Sequence, residues 1–232
     1  MEKKQNSYLQ FSLSETQRHK ALWILSFWHI VIIAASNYLV QIPFEFFGLK
    51  TTWGAFSFPF IFLTTDLTVR IFGASLARSI ILWAMLPAFA ISYAISILFY
   101  EGQFTSFAEL SALNTMVARI CFASFLAYVV GQLLDVHVFN RLRQRKQWWV
   151  APFASTMLGN IVDTLIFFSV AFYKSSDEYM ATHWLDFAWV DYGWKLAIST
   201  LLFLPAYGLL LNYLTHKLTN IRPNHHPIAS TL

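Results

Sequence analysis

The stretch Val150 to Tyr173, VAPFASTMLGNIVDTLIFFSVAFY, is continuously apolar except for a few small or polar residues and one charged side chain, Asp163. A helix of about 20 predominantly apolar residues crosses the hydrocarbon core of a bilayer, so this stretch is long enough to span a membrane. An ionisable group inside such a span costs about 2.5–3.5 kcal/mol on insertion scales. Asp163 therefore needs a partner, water or a function.

Five further stretches of the same character occupy most of the remaining chain. The six predicted spans are Ala21 to Ile42, Ala55 to Phe72, Ser79 to Tyr100, Leu113 to Leu134, Val150 to Tyr173 and Phe187 to Leu214. Of the 232 residues, 57% are hydrophobic and 12% are charged, whereas soluble domains carry about 25% charged residues. The sequence predicts an all-α, polytopic membrane protein with six transmembrane helices. We expect residues 1–232 to form one integral membrane domain with short tails.

Basic residues collect on one side of this topology. Twelve of the sixteen Lys and Arg residues lie in the tails and links of that side, and the links of the opposite side hold only Lys50 and Lys174. By the positive-inside rule, both termini of this multi-pass protein are expected in the cytoplasm. The same placement accounts for the net charge of +4. We therefore expect the lipid bilayer as a partner of the protein, and no nucleic acid.

The sequence lacks the motifs of common enzymes and nucleotide-binding proteins. Its eight glycines form neither a Walker A loop nor a dinucleotide fingerprint, and it has no serine hydrolase elbow. No histidine pair within a span has metal-ligand spacing, and the single cysteine, Cys121, has no partner for an intrachain disulfide. We therefore expect no catalytic residues, no metal and no cofactor, and a protein that is not an enzyme.

Four charged side chains, Asp66, Arg119, Asp163 and Lys195, lie in four different predicted spans. Small residues accompany Arg119 and Asp163 at steps of four, which predicts that these two face protein or a cavity rather than lipid. The small residues are Ala123, Ala127 and Gly131 in the fourth span and Ser155 and Gly159 in the fifth. Lys195 lies near the outer end of its span, where snorkelling to the surface would suffice.

Two interpretations fit these charges. In the first, they neutralise one another and only fix the packing of the helices. The pairs would be Asp66 with Arg70, Asp191 with Lys195, and Arg119 with Asp163. In the second, they line a hydrated pocket, since ionisable residues within a membrane usually mark a substrate or ion path.

Four segments carry a resemblance that covers almost the whole chain. They are SNYLVQ (Ser36 to Gln41), TTWGAFSFPFIFLTTDLTVRIFG (Thr51 to Gly73), DVHVFNRLRQ (Asp135 to Gln144) and GNIVDTLIFF (Gly159 to Phe168). In order and spacing they closely resemble the queuosine precursor transporters, which are placed among the vitamin-uptake transporters. The resemblance implies a six-helix membrane protein similar in shape to the substrate-binding subunits of energy-coupling-factor importers. Many relatives have a glutamate where this chain has Arg70, so no general role is expected for that arginine.

The resemblance also implies a function. It points to a transporter of the bacterial inner membrane that imports 7-cyano-7-deazaguanine and 7-aminomethyl-7-deazaguanine, which are precursors of queuosine in transfer RNA. The alternative is an importer of another small planar nucleobase or vitamin-like solute, with or without a separate ATPase module. A membrane enzyme and a noncatalytic assembly partner are the rival classes. A proton carried by Asp66 or Asp163 is one available driving force, and facilitated diffusion is another. The oligomeric state is left open.

The polar residues of the spans suit a deazaguanine on chemical grounds. One carboxylate can accept the ring N–H and the exocyclic amine together, while the carbonyl needs a donor and the flat ring favours an aromatic face. We expect Asp66 or Asp163 to hold the donor edge, in a pocket between spans one, two, four and five. The candidates for the carbonyl are Asn37, Gln41, Asn160 and Arg119, and those for stacking are Phe56, Phe58 and Trp53.

Overall fold

The computed structural model describes residues 15–39, 42–46, 49–57, 59–100 and 103–220, and that part of the chain is predominantly helical. Its helices are α1 (Glu15–Leu39), α2 (Gly54–Ser57), α3 (Pro59–Phe72), α4 (Ala74–Leu98), α5 (Thr115–Leu142), α6 (Val150–Phe172), α7 (Glu178–Ile198) and α8 (Leu204–Asn220). Two short antiparallel hairpins pair β1 (Pro43–Phe46) with β2 (Leu49–Thr52), and β3 (Phe99–Tyr100) with β4 (Gln103–Phe104). A 3₁₀ turn (Phe107–Ser111) precedes α5, and a π-helical turn (Ser199–Phe203) joins α7 to α8.

Five helical segments of the described chain are long and apolar enough to cross a bilayer. They are α1, α4, α5, α6 and the rod formed by α7, the π-helical turn and the first part of α8. With α3 as a sixth helix, this confirms the all-α, polytopic membrane fold. The last helical segment begins at Glu178, well before the predicted start at Phe187, because the side chain of Asp177 caps the helix there by accepting from the N–H of Met180. The π-helical turn then continues α7 into α8 without a break.

The second predicted span is divided in the structure. Residues Gly54–Ser57 form the single turn α2, and α3 begins at Pro59, whose fixed φ suits the first turn of a helix. Helix α3 has 14 residues, which at 1.5 Å per residue make about 21 Å, less than the ~30 Å of a hydrocarbon core. The chain between α1 and α3 passes through the β1–β2 hairpin and α2.

Helix α3 occupies the centre of the bundle, where it contacts α1, α4, α5, α6 and α8. It is apolar on most of its faces, as a helix surrounded by protein should be. Its buried residues are Pro59, Ile61, Phe62, Leu63, Thr65, Asp66, Thr68, Val69 and Ile71. The short length and central position of α3 place Asp66 in the interior of the protein rather than against lipid.

The two small-residue stripes meet where α5 crosses α6, and these helices share the largest interface among the described elements. A Cβ atom added to Gly131 would lie 3.0 Å from the Cβ of Asp163 and 3.2 Å from the carbonyl oxygen of Gly159. One added to Gly159 would lie 2.8 Å from the ring of Phe62. The predicted inward orientation of the stripes is thus confirmed, and the close approach requires glycine at both positions.

We expect Gly131→Ala to destabilise the protein by about 1–3 kcal/mol, because the added methyl group overpacks the α5–α6 crossing. Gly193→Ala is the matched control, since a Cβ at Gly193 of α7 would meet no atom within 4 Å, and alanine favours a helix over glycine by about 1 kcal/mol. Thermal unfolding of the purified variants in detergent compares them. Equal unfolding temperatures for the two variants would contradict the packing described for Gly131.

The links rich in basic residues are tied together at one end of the bundle, which we call the basic end. Arg18 donates to the hydroxyl of Ser75 at 3.0 Å and so joins the starts of α1 and α4. Arg143 donates to the carbonyl of Val69 at 2.8 Å, and Arg70 donates to the carbonyl of Arg143 at 3.1 Å. These bonds connect the end of α3 with the α5–α6 link.

Candidate functional site

A cleft that is partly open at the surface lies between α3, α6 and the π-helical turn. Its interior volume of about 20 Å³ has room for little more than a water molecule, so a larger ligand enters only when the walls move apart. Among its described lining residues, Asp66 carries the charged group, and it is 1% exposed. The aromatic lining residues are Phe62, Phe153, Phe203 and Tyr207, and the small hydroxyl residues are Thr156, Ser199 and Thr200. Apolar walls with a few convergent polar groups are typical of small-molecule sites.

The π-helical turn shapes one wall of the cleft by presenting Ser199 and Phe203 to it. Its cause is Pro205, which has no N–H to donate to the carbonyl of Leu201 and so disturbs the α-helical ladder. π-Helical turns are frequent at functional sites. Pro205 is the sequence signal that could have located this wall, because it lies inside the sixth predicted span.

A second carboxyl group lies against Asp66. Asp135 of α5 is fully buried, and its side chain approaches both Asp66 and Ser155 of α6. The hydroxyl of Ser155 donates to Oδ1 of Asp66 at 3.3 Å, whereas neither carboxyl oxygen of Asp135 has a hydrogen-bond partner among the described residues. We call Asp66 and Asp135 the acid pair. Sequence reasoning missed Asp135, although it continues the small-residue stripe four residues after Gly131.

Lys195 joins α7 to α6 instead of snorkelling to the surface. Its Nζ lies 2.8 Å from Oδ2 of Asp191 and 3.2 Å from Oδ2 of Asp163, and it donates to the hydroxyl of Thr164 at 3.2 Å. The predicted pairing of Asp191 with Lys195 is confirmed. The predicted pairing of Arg119 with Asp163 is wrong, because Lys195 takes that place. The snorkelling predicted for Lys195 is also wrong, because its side chain is buried.

Asn160 connects this ion-pair cluster with the cleft. Its Nδ2 donates to the hydroxyl of Ser199 at 3.4 Å, and Ser199 lines the cleft. Its Oδ1 is buried and has no hydrogen-bond partner in the described part of the chain. The predicted polar patch of Asn160, Asp163 and Thr164 therefore lies at the contact of α6 with the α7–α8 rod, next to the wall of the cleft.

Arg70 closes the cleft toward the basic end rather than pairing with Asp66. Its Nε donates to the hydroxyl of Tyr207 at 2.9 Å, and its Nη groups donate to the carbonyls of Arg143 and Trp148 at 3.1 and 3.2 Å. The ring of Trp148 is stacked with that of Tyr207 at a centroid distance of 6.2 Å and an angle of 15°. The predicted ion pair of Asp66 with Arg70 is wrong, since these hydrogen bonds hold the guanidinium elsewhere.

Arg119 caps the C-terminus of α6. Its guanidinium donates to the carbonyls of Val170, at 2.8 Å, and of Tyr173 and Lys174. These carbonyls lie in or just after the last turn of the helix, where they lack partners within the helix and carry the negative end of its dipole. The structure therefore places Arg119 away from the cleft, and its inward position serves the packing of α5 on α6.

The remaining predicted residues lie outside the cleft or outside the described part of the chain. Phe56 is half-buried on α2, and its ring centroid lies 5.8 Å from that of the exposed Trp53. Neither belongs to the described lining of the cleft. Gln41, Phe58 and the side chain of Asn37 lie outside the described residues.

A buried polar chain crosses three helices on the other side of α3. Nε2 of His29 lies 3.2 Å from the hydroxyl of Thr65, which donates to Oε1 of Gln132 at 2.6 Å. Thr65 precedes Asp66, and Gln132 lies one turn before Asp135, so this chain fixes α1, α3 and α5 beside the acid pair. The sequence did not predict this chain, because histidine, threonine and glutamine are not necessarily charged and these three residues do not recur at a helical spacing.

A family model described as "Putative vitamin uptake transporter" matches residues 52–210, which include α3, α5, α6 and the lining of the cleft. The chain belongs to the vitamin uptake transporter family. This membership and the apolar helices identify it as a multi-pass membrane transporter. The expected resemblance to the queuosine precursor transporters is confirmed by three relatives.

The queuosine precursor transporter of Escherichia coli (strain K12) is 59% identical over 207 residues, which are 89% of this chain and 94% of that protein. A probable queuosine precursor transporter of Haemophilus influenzae is 54% identical over 217 residues, 88% of this chain and 92% of that protein. One of Bacillus subtilis is 28% identical over 172 residues, 71% and 73% of the two chains. No solved structure matches significantly, so the likeness in shape to energy-coupling-factor subunits stays a prediction.

Proposed function

We propose that this protein imports 7-cyano-7-deazaguanine and 7-aminomethyl-7-deazaguanine for salvage into queuosine of transfer RNA. The observation that carries the proposal is a buried carboxyl group, Asp66, in an aromatic-walled cleft of a chain 59% identical to a queuosine precursor transporter. A flat base with two adjacent N–H donors is the kind of ligand that such a cleft suits. The vitamin-like solutes suggested by the family description are the alternative cargo.

Asp66 is the residue to which we assign the donor edge of the base. An ionised carboxylate accepts two parallel N–H donors in one plane, and such charge-assisted hydrogen bonds are the strong ones. Asp163, the other expected candidate, is already engaged by Lys195, which leaves its oxygens less available to a ligand. Asn160 then contributes indirectly, because its amide donates a hydrogen bond to the hydroxyl of Ser199, which lines the cleft.

The other walls supply the remaining contacts of the proposed site. The hydroxyls of Thr156, Ser199 and Thr200 are donors for the carbonyl of the base, and they belong to α6 and the π-helical turn. Phe62, on the same helix as Asp66, offers an aromatic face for stacking. Stacking of a base on an aromatic side chain contributes about 1–3 kcal/mol, so these contacts are comparable with the hydrogen bonds to Asp66.

The orientation of the protein in the membrane follows from the placement of charge. We assign the protein to the bacterial inner membrane with both termini in the cytoplasm, because the tied links at the basic end are the most positive part of the molecule. Arg70, Tyr207 and Trp148 lie between the cleft and that end. In this orientation they close the cytoplasmic exit, and they must separate to release the substrate inward.

Uptake by cells unable to make the deazaguanine tests the function. Cells expressing this chain should accumulate the labelled base and place queuosine in transfer RNA, whereas cells without it should do neither. Excess unlabelled guanine, adenine or a vitamin added as competitor separates the deazaguanine from the alternative cargoes. Absence of uptake at verified membrane abundance would contradict the proposed substrate.

A further inference from the structure

We propose that Asp135 is the coupling residue, which shares a proton with Asp66 and carries it inward with each molecule of substrate. This inference rests on the proposed function, because it takes Asp66 to be the residue that binds the base. It adds a role for a residue that does not line the cleft and that the mechanism of binding leaves unused.

The position of Asp135 is the first argument. The side chain is 0% exposed, and within the described chain neither of its oxygens has a hydrogen-bond partner. It is enclosed by Asp66, by Ser155 and by the backbone of α6 at Gly159, where an added Cβ would lie 3.3 Å from the Cβ of Asp135. A carboxylate isolated from water in this way is too costly to keep ionised without a partner, so the site requires a proton.

The nearness of a second acid is the second argument. Two carboxyl groups in contact within a dry interior cannot both ionise, and such pairs hold one proton between them. Asp66 alone reaches the cleft, while Asp135 lies behind it. The acid pair therefore divides two tasks, since one member can meet the substrate as a carboxylate and the other can keep the proton.

Among the described residues, the surrounding charged and titratable groups leave the pair without a permanent counter-ion. The groups that face it are Arg70 of α3, Tyr207 of α8 and, through Thr65, His29 of α1, while α6 contributes the uncharged Ser155. Arg70 is held by Tyr207 and two backbone carbonyls and makes no ion pair with Asp66. A bound proton must therefore neutralise one of the two carboxylates.

The proposed cycle moves one proton and one substrate. In the empty protein open to the outside, the acid pair takes a proton from water, and protonated Asp135 donates it in a hydrogen bond to Asp66. The two N–H donors of the base then replace that bond on Asp66, and the proton stays on Asp135 while the cleft closes. When the base leaves to the cytoplasm, water enters the cleft, Asp135 releases its proton to it, and water hydrates both carboxylates during the return.

Proteoliposomes containing the purified chain test the coupling. With acid outside and labelled 7-cyano-7-deazaguanine, the wild-type protein should accumulate the label by up to about 10-fold per pH unit, the limit for one proton. Asp135→Asn should bind the base within about threefold of wild type and equilibrate it without accumulation. Asp186→Asn, which removes an exposed carboxylate of α7, is the control and should accumulate like wild type.

Proton movement in the wild-type protein keeps the test independent of how Asp135→Asn folds. A pH-sensitive dye inside the vesicles should report one proton entering per molecule of base. Accumulation by Asp135→Asn, or base uptake by wild type without proton entry, would overturn the coupling and leave the proposed substrate intact. A wild-type protein that neither binds nor equilibrates the base would overturn both.

Discussion

Asp66→Asn should lower deazaguanine uptake by about 10- to 100-fold while the protein reaches the membrane at wild-type abundance. The amide keeps one acceptor and turns an NH₂ group toward the N–H donors of the base, so both charge-assisted bonds are lost. Hydrogen bonds to a charged group contribute about 1.5–3 kcal/mol, and each 1.4 kcal/mol is about tenfold in affinity. Because Asp66 is buried in the acid pair, the neutral amide should be tolerated by the fold.

Initial rates of labelled uptake, normalised to the amount of protein in the membrane, measure this effect. Asp186→Asn is again the matched control, because it removes an exposed carboxylate that does not line the cleft. Asp163→Asn should be measured in the same series, because it shows which of the two predicted carboxyl groups, Asp66 or Asp163, binds the donor edge of the base. Uptake by Asp66→Asn at the wild-type rate would show that the substrate does not bind in the cleft.

Lys195→Met should destabilise the protein by about 3–5 kcal/mol, the usual cost of removing one partner from a buried ion pair. Methionine matches the length of the lysine stem but leaves the carboxylates of Asp163 and Asp191 facing each other without the ammonium group between them. Little folded protein should then survive extraction in detergent. The loss should appear as a lower unfolding temperature, whether or not substrate is present.

Two further variants show whether the charge itself is responsible. Lys195→Met combined with Asp163→Asn should recover a large part of the stability, because one of the stranded carboxylates becomes neutral. Lys146→Met, in the exposed link between α5 and α6, should unfold at the wild-type temperature. A Lys195→Met protein as stable as wild type would show that the ion-pair cluster does not hold α7 to α6.

The membrane fold was predictable from the sequence because the length and hydrophobicity of a span are local properties. The stretch Val150 to Tyr173 became α6 within one residue of its predicted end. Helix α3 was less predictable, since its short length depends on Pro59 and on a position at the centre of the bundle, where neighbours supply the apolar surroundings. The small-residue stripes predicted which faces of α5 and α6 turn inward, because the spacing of small residues reports directly on close packing.

The partners of the charged residues could not be predicted in the same way. Pairing depends on which helices lie side by side, so Asp163 was matched with Arg119 although Lys195 reaches it from α7. Asp135 was overlooked because the fourth span was expected to end at Leu134, whereas α5 continues to Leu142 and keeps this acid inside the helix. The cleft likewise includes the sixth span, which the predicted pocket left out, because the π-helical turn brings its side chains to α3.

Equilibrium binding of 7-cyano-7-deazaguanine to the purified protein tests the central claim most directly. Binding by the wild-type chain in lipid nanodiscs should be saturable with one site per molecule, and Asp66→Asn should weaken it by about 10- to 100-fold, in line with the hydrogen bonds to the carboxylate. A wild-type protein without saturable binding, or an Asp66→Asn protein that binds as tightly as wild type, would contradict the assignment of the cleft as the deazaguanine site.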